Sequence, residues 1–273
     1  MNICYREIQP SPELMPYVDC YWLQSFTDSA GQTSPIQRCP PFGTVELIIH
    51  LDDNHCDVLF DDVWQKLPRV FLAGLYRDAV VWRSPGDTRK FGIRLKPEAL
   101  HSLFKVPASA LYNDYTSIDN IGFHQAVSFA ESLIGLPTLD QVITKTESHL
   151  KEQLLRTSRE SNYFIEAANL MRTAKGDISV EEVSNRLSVS QRQLQRVFKD
   201  QVGTTPKTFG RIIRFSNAYK EMQNLEKAGG WAGLSYLLGY ADQAHFIREF
   251  KEFSGLIPHV MLNDEDQIFG KAI

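Results

Sequence analysis

Two hydrophobic rhythms divide the chain. Over roughly the first 95 residues the apolar positions come in short, β-rich runs at 44–51, 56–60, 70–73, 79–83 and 91–95. Pro40-Pro41, Asp61-Asp62 and Ser84-Pro85-Gly86-Asp87 separate them. Short strands punctuated by turn residues predict an antiparallel sandwich or barrel. From residue 97 the apolar spacing becomes helical, with helices expected over 97–104, 122–134 and 139–155. In the last of these Leu139, Val142, Ile143, Thr146, Leu150 and Leu154 form one stripe. That stripe either packs within its own chain or pairs with a second subunit. The expectation is an α+β multidomain chain: a β-barrel or sandwich with flanking helices over 1–155, then an all-α domain over 163–262.

The helical part contains a repeat at an offset of 52 residues. Residues 190–206 align with 242–258, and six of the 17 pairs are identical: Gln191/Gln243, Arg196/Arg248, Phe198/Phe250, Lys199/Lys251, Gly203/Gly255 and Pro206/Pro258. Ser190 and Asp242 are both good helix N-caps. Each copy reads as helix, tight turn, helix. Ser179 with Glu182 opens the first short helix, Ser188-Val189 is its turn, and the following helix stops at Gly203. In the second copy Gly239-Tyr240-Ala241 is the turn and Gly255 the stop. Two helices joined this way are a helix-turn-helix unit.

In the second helix of the first copy, Leu194, Val197, Phe198 and Val202 form an apolar stripe, while Arg192, Gln195, Arg196 and Lys199 occupy another side. Arg pairs bidentately with guanine and Gln with adenine, so this face suits a DNA groove. The matching face of the second copy is Ala244, Ile247, Arg248 and Lys251, which leans on one arginine and on apolar contact with thymine methyls. A cationic face on a single helix is ordinarily just solvated. Two copies keeping the same Arg and Lys behind capped turns favour reading of a duplex. Arg196 and Arg248 are the expected principal readers, assisted by Gln191, Arg192, Gln195, Gln243, Ala244 and Ile247, with Lys199 and Lys251 on phosphates. The intervening apolar positions from Phe209 to Met222 predict a helix of about 18 residues, or about 27 Å. That length suits two readers in successive major-groove segments about 34 Å apart.

Charge supports the division. The whole chain is at −4, but residues 1–162 carry −5 and 163–262 carry +3. A basic module on an acidic partner domain points to a polyanion for the helical part only. No apolar run reaches the length of a membrane span, and Arg6 and Glu7 interrupt any export signal. The four cysteines, all within the first 56 residues, have no CxxC spacing and are expected as reduced thiols in a cytoplasmic protein.

These residues resemble the AraC/XylS family of bacterial transcription regulators. The likeness covers about residues 163–262. It rests on Leu187 with 190–198, Gly203-x-x-Pro206, Arg214-Phe215-x-x-Ala218, Gly239-Tyr240-x-Asp242-Gln243-x-x-Phe246-x-Arg248-x-Phe250-Lys251 and Gly255-x-x-Pro258. Gly229, Gly230 and Gly233 depart from the pattern and loosen the helix before Gly239, at about 1 kcal/mol for each interior glycine. The first half resembles the cupin-like sensor domains fused to such modules. The resemblance implies a seven-helix DNA-binding domain, sequence-specific transcription regulation, double-stranded DNA and a small-molecule effector as partners, with RNA polymerase and a homodimer in prospect and no cofactor. Trp22, Trp64, Trp82, Tyr21 and Phe91 are candidates to line a pocket, with core packing as the plainer role. Arg83 and Arg94 are candidates for an anion, with solvation as the plainer role. The alternative from another class is a metal-dependent cupin-type enzyme using Glu46, His50 and Cys56; Cys39 and Cys56 are candidate oxidant sensors. A third reading is a dimeric architectural protein whose barrel binds nothing. No GxSxG, phosphate loop or GxGxxG is present.

Overall fold

The computed structural model describes residues 2–27, 31–104, 106–121, 124–156 and 163–263. The expected helix start at Gly122, most of the linker between the two expected domains, and the acidic tail from Asp264 lie outside the described residues.

The first part is a two-sheet sandwich, not a closed barrel. One sheet has six strands in the order β1(Asn2–Ile8), β2(Val18–Thr27), β9(Thr88–Leu95), β4(Val45–His50), β7(Val70–Ala73) and β10(Tyr115–Ser117). The other has four in the order β3(Gln37–Cys39), β8(Val80–Arg83), β5(Asp57–Phe60) and β6(Val63–Lys66). All pairings are antiparallel. The runs read from the sequence are strands, but β1, β2, β3, β6 and β10 lack a clean apolar alternation and were not expected. In β2 both faces are covered, so polar Gln24 and Ser25 break the pattern that exposes a strand to a sequence reading.

Successive side chains of a strand point to opposite faces, and the six-stranded sheet serves two cores. Tyr21, Leu47, Ile49, Leu72, Phe91, Ile93 and Leu95 pack against helices. Tyr5, Cys20, Trp22, Phe26 and Phe71 face the small sheet, where Val58 and Trp82 meet them. The covering helices are α1(Pro97–Phe104), α2(His124–Leu133) and α3(Leu139–Leu155). The α3 stripe packs within the chain, against α1 and α2, with Val142, Thr146 and Leu150 buried.

The second part holds α4(Tyr163–Thr173), α5(Val180–Arg186), α6(Gln191–Val202), α7(Pro206–Glu221), α8(Gly230–Leu237), α9(Gln243–Ser254) and α10(Pro258–Asn263). At 16 residues, α7 spans about 24 Å and contacts both α6 and α9. One apolar cluster runs unbroken from Leu14 through α1 to Met261, so the helical domain shares its core with the back of the sandwich.

Candidate nucleic-acid interface

Each second helix of the repeat is capped as its sequence requires. Ser190 accepts at its hydroxyl from the Gln193 backbone N–H, while the Gln193 side chain accepts from the Ser190 N–H at 2.9 Å, a complete capping box. Asp242 accepts from the His245 N–H at 2.6 Å. Ser179 accepts from the Glu182 N–H at 3.0 Å, but the Glu182 carboxylate turns to Arg186 and leaves that box half closed. Gly203 (φ 84°) and Gly255 (φ 75°) end α6 and α9 in the left-handed conformation that favours glycine. The turns differ by one residue: Ser188 takes the left-handed position in the first unit (φ 54°), whereas Gly239 takes it in the second (φ 71°) and is followed by two residues before the cap. A Cβ at Gly239 would lie 2.5 Å from the Asp177 carboxyl carbon.

Leu194, Phe198 and Val202 of α6 are buried, and Val197 is half-buried. In α9 Phe246, Phe250 and Phe253 are buried. Gln191, Arg192, Gln195, Arg196, Lys199, Gln243, Ala244, Arg248 and Lys251 are exposed, and Ile247 is half-buried. Among the described residues Arg192, Arg196, Arg248 and Lys251 have no ion-pair or hydrogen-bond partner through their side chains. Lys199 is engaged: its Nζ donates to the Gly203 carbonyl at 2.9 Å, closing the end of its own helix.

The repeat conceals one asymmetry. Where α6 has Val197, α9 has Glu249, whose side chain is 2% exposed and ion-paired to Arg211 and Arg214 of α7 at 2.8 and 2.9 Å. The sequence signal was available in the i, i+3 spacing of those arginines opposite an acid in an apolar stripe. Sequence reading passed it over because Glu249 lies beside the cationic face.

Both candidate readers are held at their C-terminal ends by the sandwich domain, at repeat-equivalent positions. On α6, the Asp200 carbonyl accepts from the Ser109 hydroxyl at 2.6 Å, and Gly203 lies against Tyr112. On α9, Glu252 pairs with Arg77 at 2.9 Å, and Gly255 faces Arg38. The N-terminal halves, carrying Arg192, Gln195, Arg196, Gln243, Ala244 and Arg248, remain clear. Helix-turn-helix proteins contact bases from that end of the recognition helix.

Behind this interface a cavity of about 790 Å³, its mouth included, opens between the two sheets. Trp22 and Trp82 line it, as do Phe71, Lys90, Glu46 and Tyr115. Cys39, Pro40, Pro41, Phe42, Thr44, Gly74 and Tyr76 line it as well. These segments also touch the helical domain: Phe42 meets Tyr219 edge-on at 5.5 Å, Gly43 lies against Ile213, and Arg77 follows Tyr76.

Several expectations for this half are corrected. Tyr21 and Phe91 face the helices on the far side of the sheet, because pleating puts neighbours of Trp22 and Gly92 on the opposite face. Trp64 lies outside the cavity lining, under the Arg83 guanidinium at 4.2 Å. Arg83 and Arg94 sit in different sheets. Arg83 pairs with Asp57 at 3.1 Å. Arg94, 5% exposed, is no solvated strand residue: it donates to Glu46 at 2.7 Å, Glu7 at 2.9 Å and the Tyr5 hydroxyl at 3.1 Å. Glu46 is thus engaged by Arg94. His50 accepts at Nε2 from the Cys56 backbone N–H and faces the Pro68 and Arg69 carbonyls through Nδ1. Among the described residues no group of three His, Cys, Asp or Glu side chains is placed to hold a metal. Burial pushes the Cys39 thiol above its ordinary range, opposite to what a reactive thiolate needs.

Residues 6–117 match a domain of unknown function (DUF6597), and residues 183–264 match a helix-turn-helix domain. No curated protein matches the chain. Among solved structures, an apo variant of ToxT from Vibrio cholerae is similar at 10% identity and a TM-score of 0.48, covering 89% of this chain and 96% of that one. ToxT with unsaturated fatty acid bound gives 12% and 0.45, covering 96% and 94%. The AraC-like transcriptional activator CuxR gives 14% and 0.29, covering 80% and 87%. Among the described residues no helix is long and apolar enough to cross a membrane.

Proposed function

We propose that this chain, with a helix-turn-helix domain behind a domain of unknown function, is a DNA-binding transcription regulator of the AraC type, in which α6 and α9 read two successive major-groove segments while the sandwich cavity holds a small-molecule effector. One observation carries the reading. Two helices at a 52-residue offset turn Arg196 and Arg248 outward with no acidic partner, and bury Phe198 and Phe250 in one shared core. Arg196 and Arg248 supply bidentate contacts to base edges, and the neighbouring glutamines and Ala244 sort the flanking bases. Lys251 neutralises phosphate; Lys199 does so on leaving the Gly203 carbonyl.

The sandwich acts on this interface mechanically. Ser109, Tyr112, Arg38 and Arg77 brace the far ends of both readers, so a change in the cavity lining alters how the two helices sit relative to each other. A second copy and RNA polymerase are the further partners this reading expects, with action in the cytoplasm.

Selection from a random duplex library by the purified full chain tests it. The expected product is a bipartite site whose halves are about one helical turn apart. Arg196→Ala and Arg248→Ala should each relax one half and leave the other intact. Equal retention of random and selected duplexes would overturn the assignment.

A further inference from the structure

We propose that Lys90 is a covalent capture site for aldehydes: its ε-amine adds to the carbonyl carbon of an uncharged, apolar-bodied aldehyde inside the sandwich and holds it there as an imine. The proposal deepens the effector part of the regulator reading and rests on it.

Lys90 stands on β9 between Gln24 of β2 and His50 of β4. It lines the cavity and is 5% exposed. Its Nζ lies 3.4 Å from the centroid of the Trp82 ring and 5.6 Å from that of Phe26. Its hydrogen-bond partner is the fully buried Cys56 side chain, a thiol rather than a carboxylate. Glu46, the carboxylate on the same lining, is taken by Arg94 Nε at 2.7 Å. Aromatic faces compensate an ammonium only in part, and burial without a counter-ion favours the uncharged amine. Desolvation accordingly lowers the affinity of this amine for its proton.

An uncharged lysine amine is a nucleophile, and desolvation in an apolar pocket is one way a protein obtains one. The step needs no further reagent. The amine lone pair forms the N–C bond as the carbonyl π pair moves to oxygen, and a proton follows from nitrogen to that oxygen. The C=N bond then forms as the oxygen departs, so both amine hydrogens leave with it as one water. The product matches its surroundings. Trp22, Ile48, Val58, Phe71 and Trp82 give the wall an apolar surface, and a neutral imine leaves no charge buried there.

The test treats the full chain with benzaldehyde at neutral pH in the presence of cyanoborohydride, which reduces an imine to a stable benzylamine. Peptide mass mapping then locates the benzyl groups. Lys90 should carry the group at least about tenfold ahead of every other lysine, because an aldehyde in the cavity meets it as a neighbour rather than from bulk solvent. Glyoxylate, a charged aldehyde without an apolar body, should show no such preference. Lys90→Arg keeps a cation in place and removes the reactive amine; it should lose this label while the other lysines react as in the wild type. Should Lys90→Arg fail to fold by near-ultraviolet circular dichroism, the distribution of label in the wild type decides alone. Label spread evenly over the lysines, an unlabelled Lys90, glyoxylate labelling Lys90 as fast as benzaldehyde does, or undiminished uptake by Lys90→Arg would overturn the proposal. The unmodified wild type is tested in parallel on its selected duplex. Specific DNA binding without preferred capture at Lys90 overturns this inference alone, whereas absence of specific DNA binding in the unmodified wild type overturns the regulator reading.

Discussion

Arg77 sits one residue beyond the cavity-lining Tyr76, and its guanidinium meets Glu252 of α9 at 2.9 Å. The pair links the segment that lines the cavity directly to the second candidate reader. Both side chains are more than a third exposed, so the pair contributes at most about 1 kcal/mol to folding, and Arg211 stays on Glu252 at 2.6 Å when Arg77 is removed. Arg77→Ala should therefore leave the melting temperature nearly unchanged. It should broaden the range of half-site spacings that the chain accepts, measured on duplexes with lengthened and shortened spacers. An unchanged spacing profile would show that the contact does not orient α9.

Glu249 behaves differently because it is buried. Glu249→Ala strands Arg214 while Arg211 keeps Glu252, and loss of one partner from a buried pair costs about 3–5 kcal/mol. Urea unfolding should register that loss, far above the cost of Arg77→Ala.

At the readers themselves, Arg196→Ala should cost about 1–3 kcal/mol on the selected site and relax the preference at one position. Lys251→Ala should weaken all duplexes alike and reduce the salt slope by about one unit. Lys199→Ala should do the same and also lower stability slightly, since it removes the bond to the Gly203 carbonyl. Fluorescence anisotropy across a salt series separates these outcomes.

Gly92 is a tight point of the sandwich interior. A Cβ there would stand 2.0 Å from the Trp22 ring, so the indole must swing toward the cavity. Gly92→Ala should cost about 1–3 kcal/mol, as overpacking does. Tryptophan fluorescence reports the displaced indole and urea unfolding the lost stability.

His50 makes stability depend on acid. Burial, with the nearby charges of Lys90 and His55, holds its pKa down at about 3 against an ordinary 6.5. Its ring stacks on His55 and Phe71, and protonating Nε2 would end acceptance from the Cys56 N–H. The unfolded chain therefore binds the proton first. Stability is fully present above pH 6.5 and declines as pH falls through that window, by at most about 1.4 kcal/mol per unit from this group. His50→Gln should unfold more easily at pH 7 but show a shallower decline between pH 7 and 5.

The helical half was legible along the chain because its determinants are local. Ser190, Asp242, Gly203 and Gly255 act on backbone groups within a few residues of themselves, and an amphipathic helix declares its outer face by spacing alone. The outward faces of Arg196 and Arg248 followed from that. What lay beyond reach was non-local. Which face of a strand Tyr21, Phe91 and Trp22 would take depends on strand register across 70 residues of sequence, and one step of register reverses every side chain. Arg94 became an internal ion-pair centre, and Lys90 a buried amine over the Trp82 ring, only through strands brought together by pairing. The grip of Ser109 on α6 and of Arg77 on α9 likewise exists only once the sandwich and the helices share a core: short-range capping and periodicity specify helices, while long-range packing alone decides what those helices lean against.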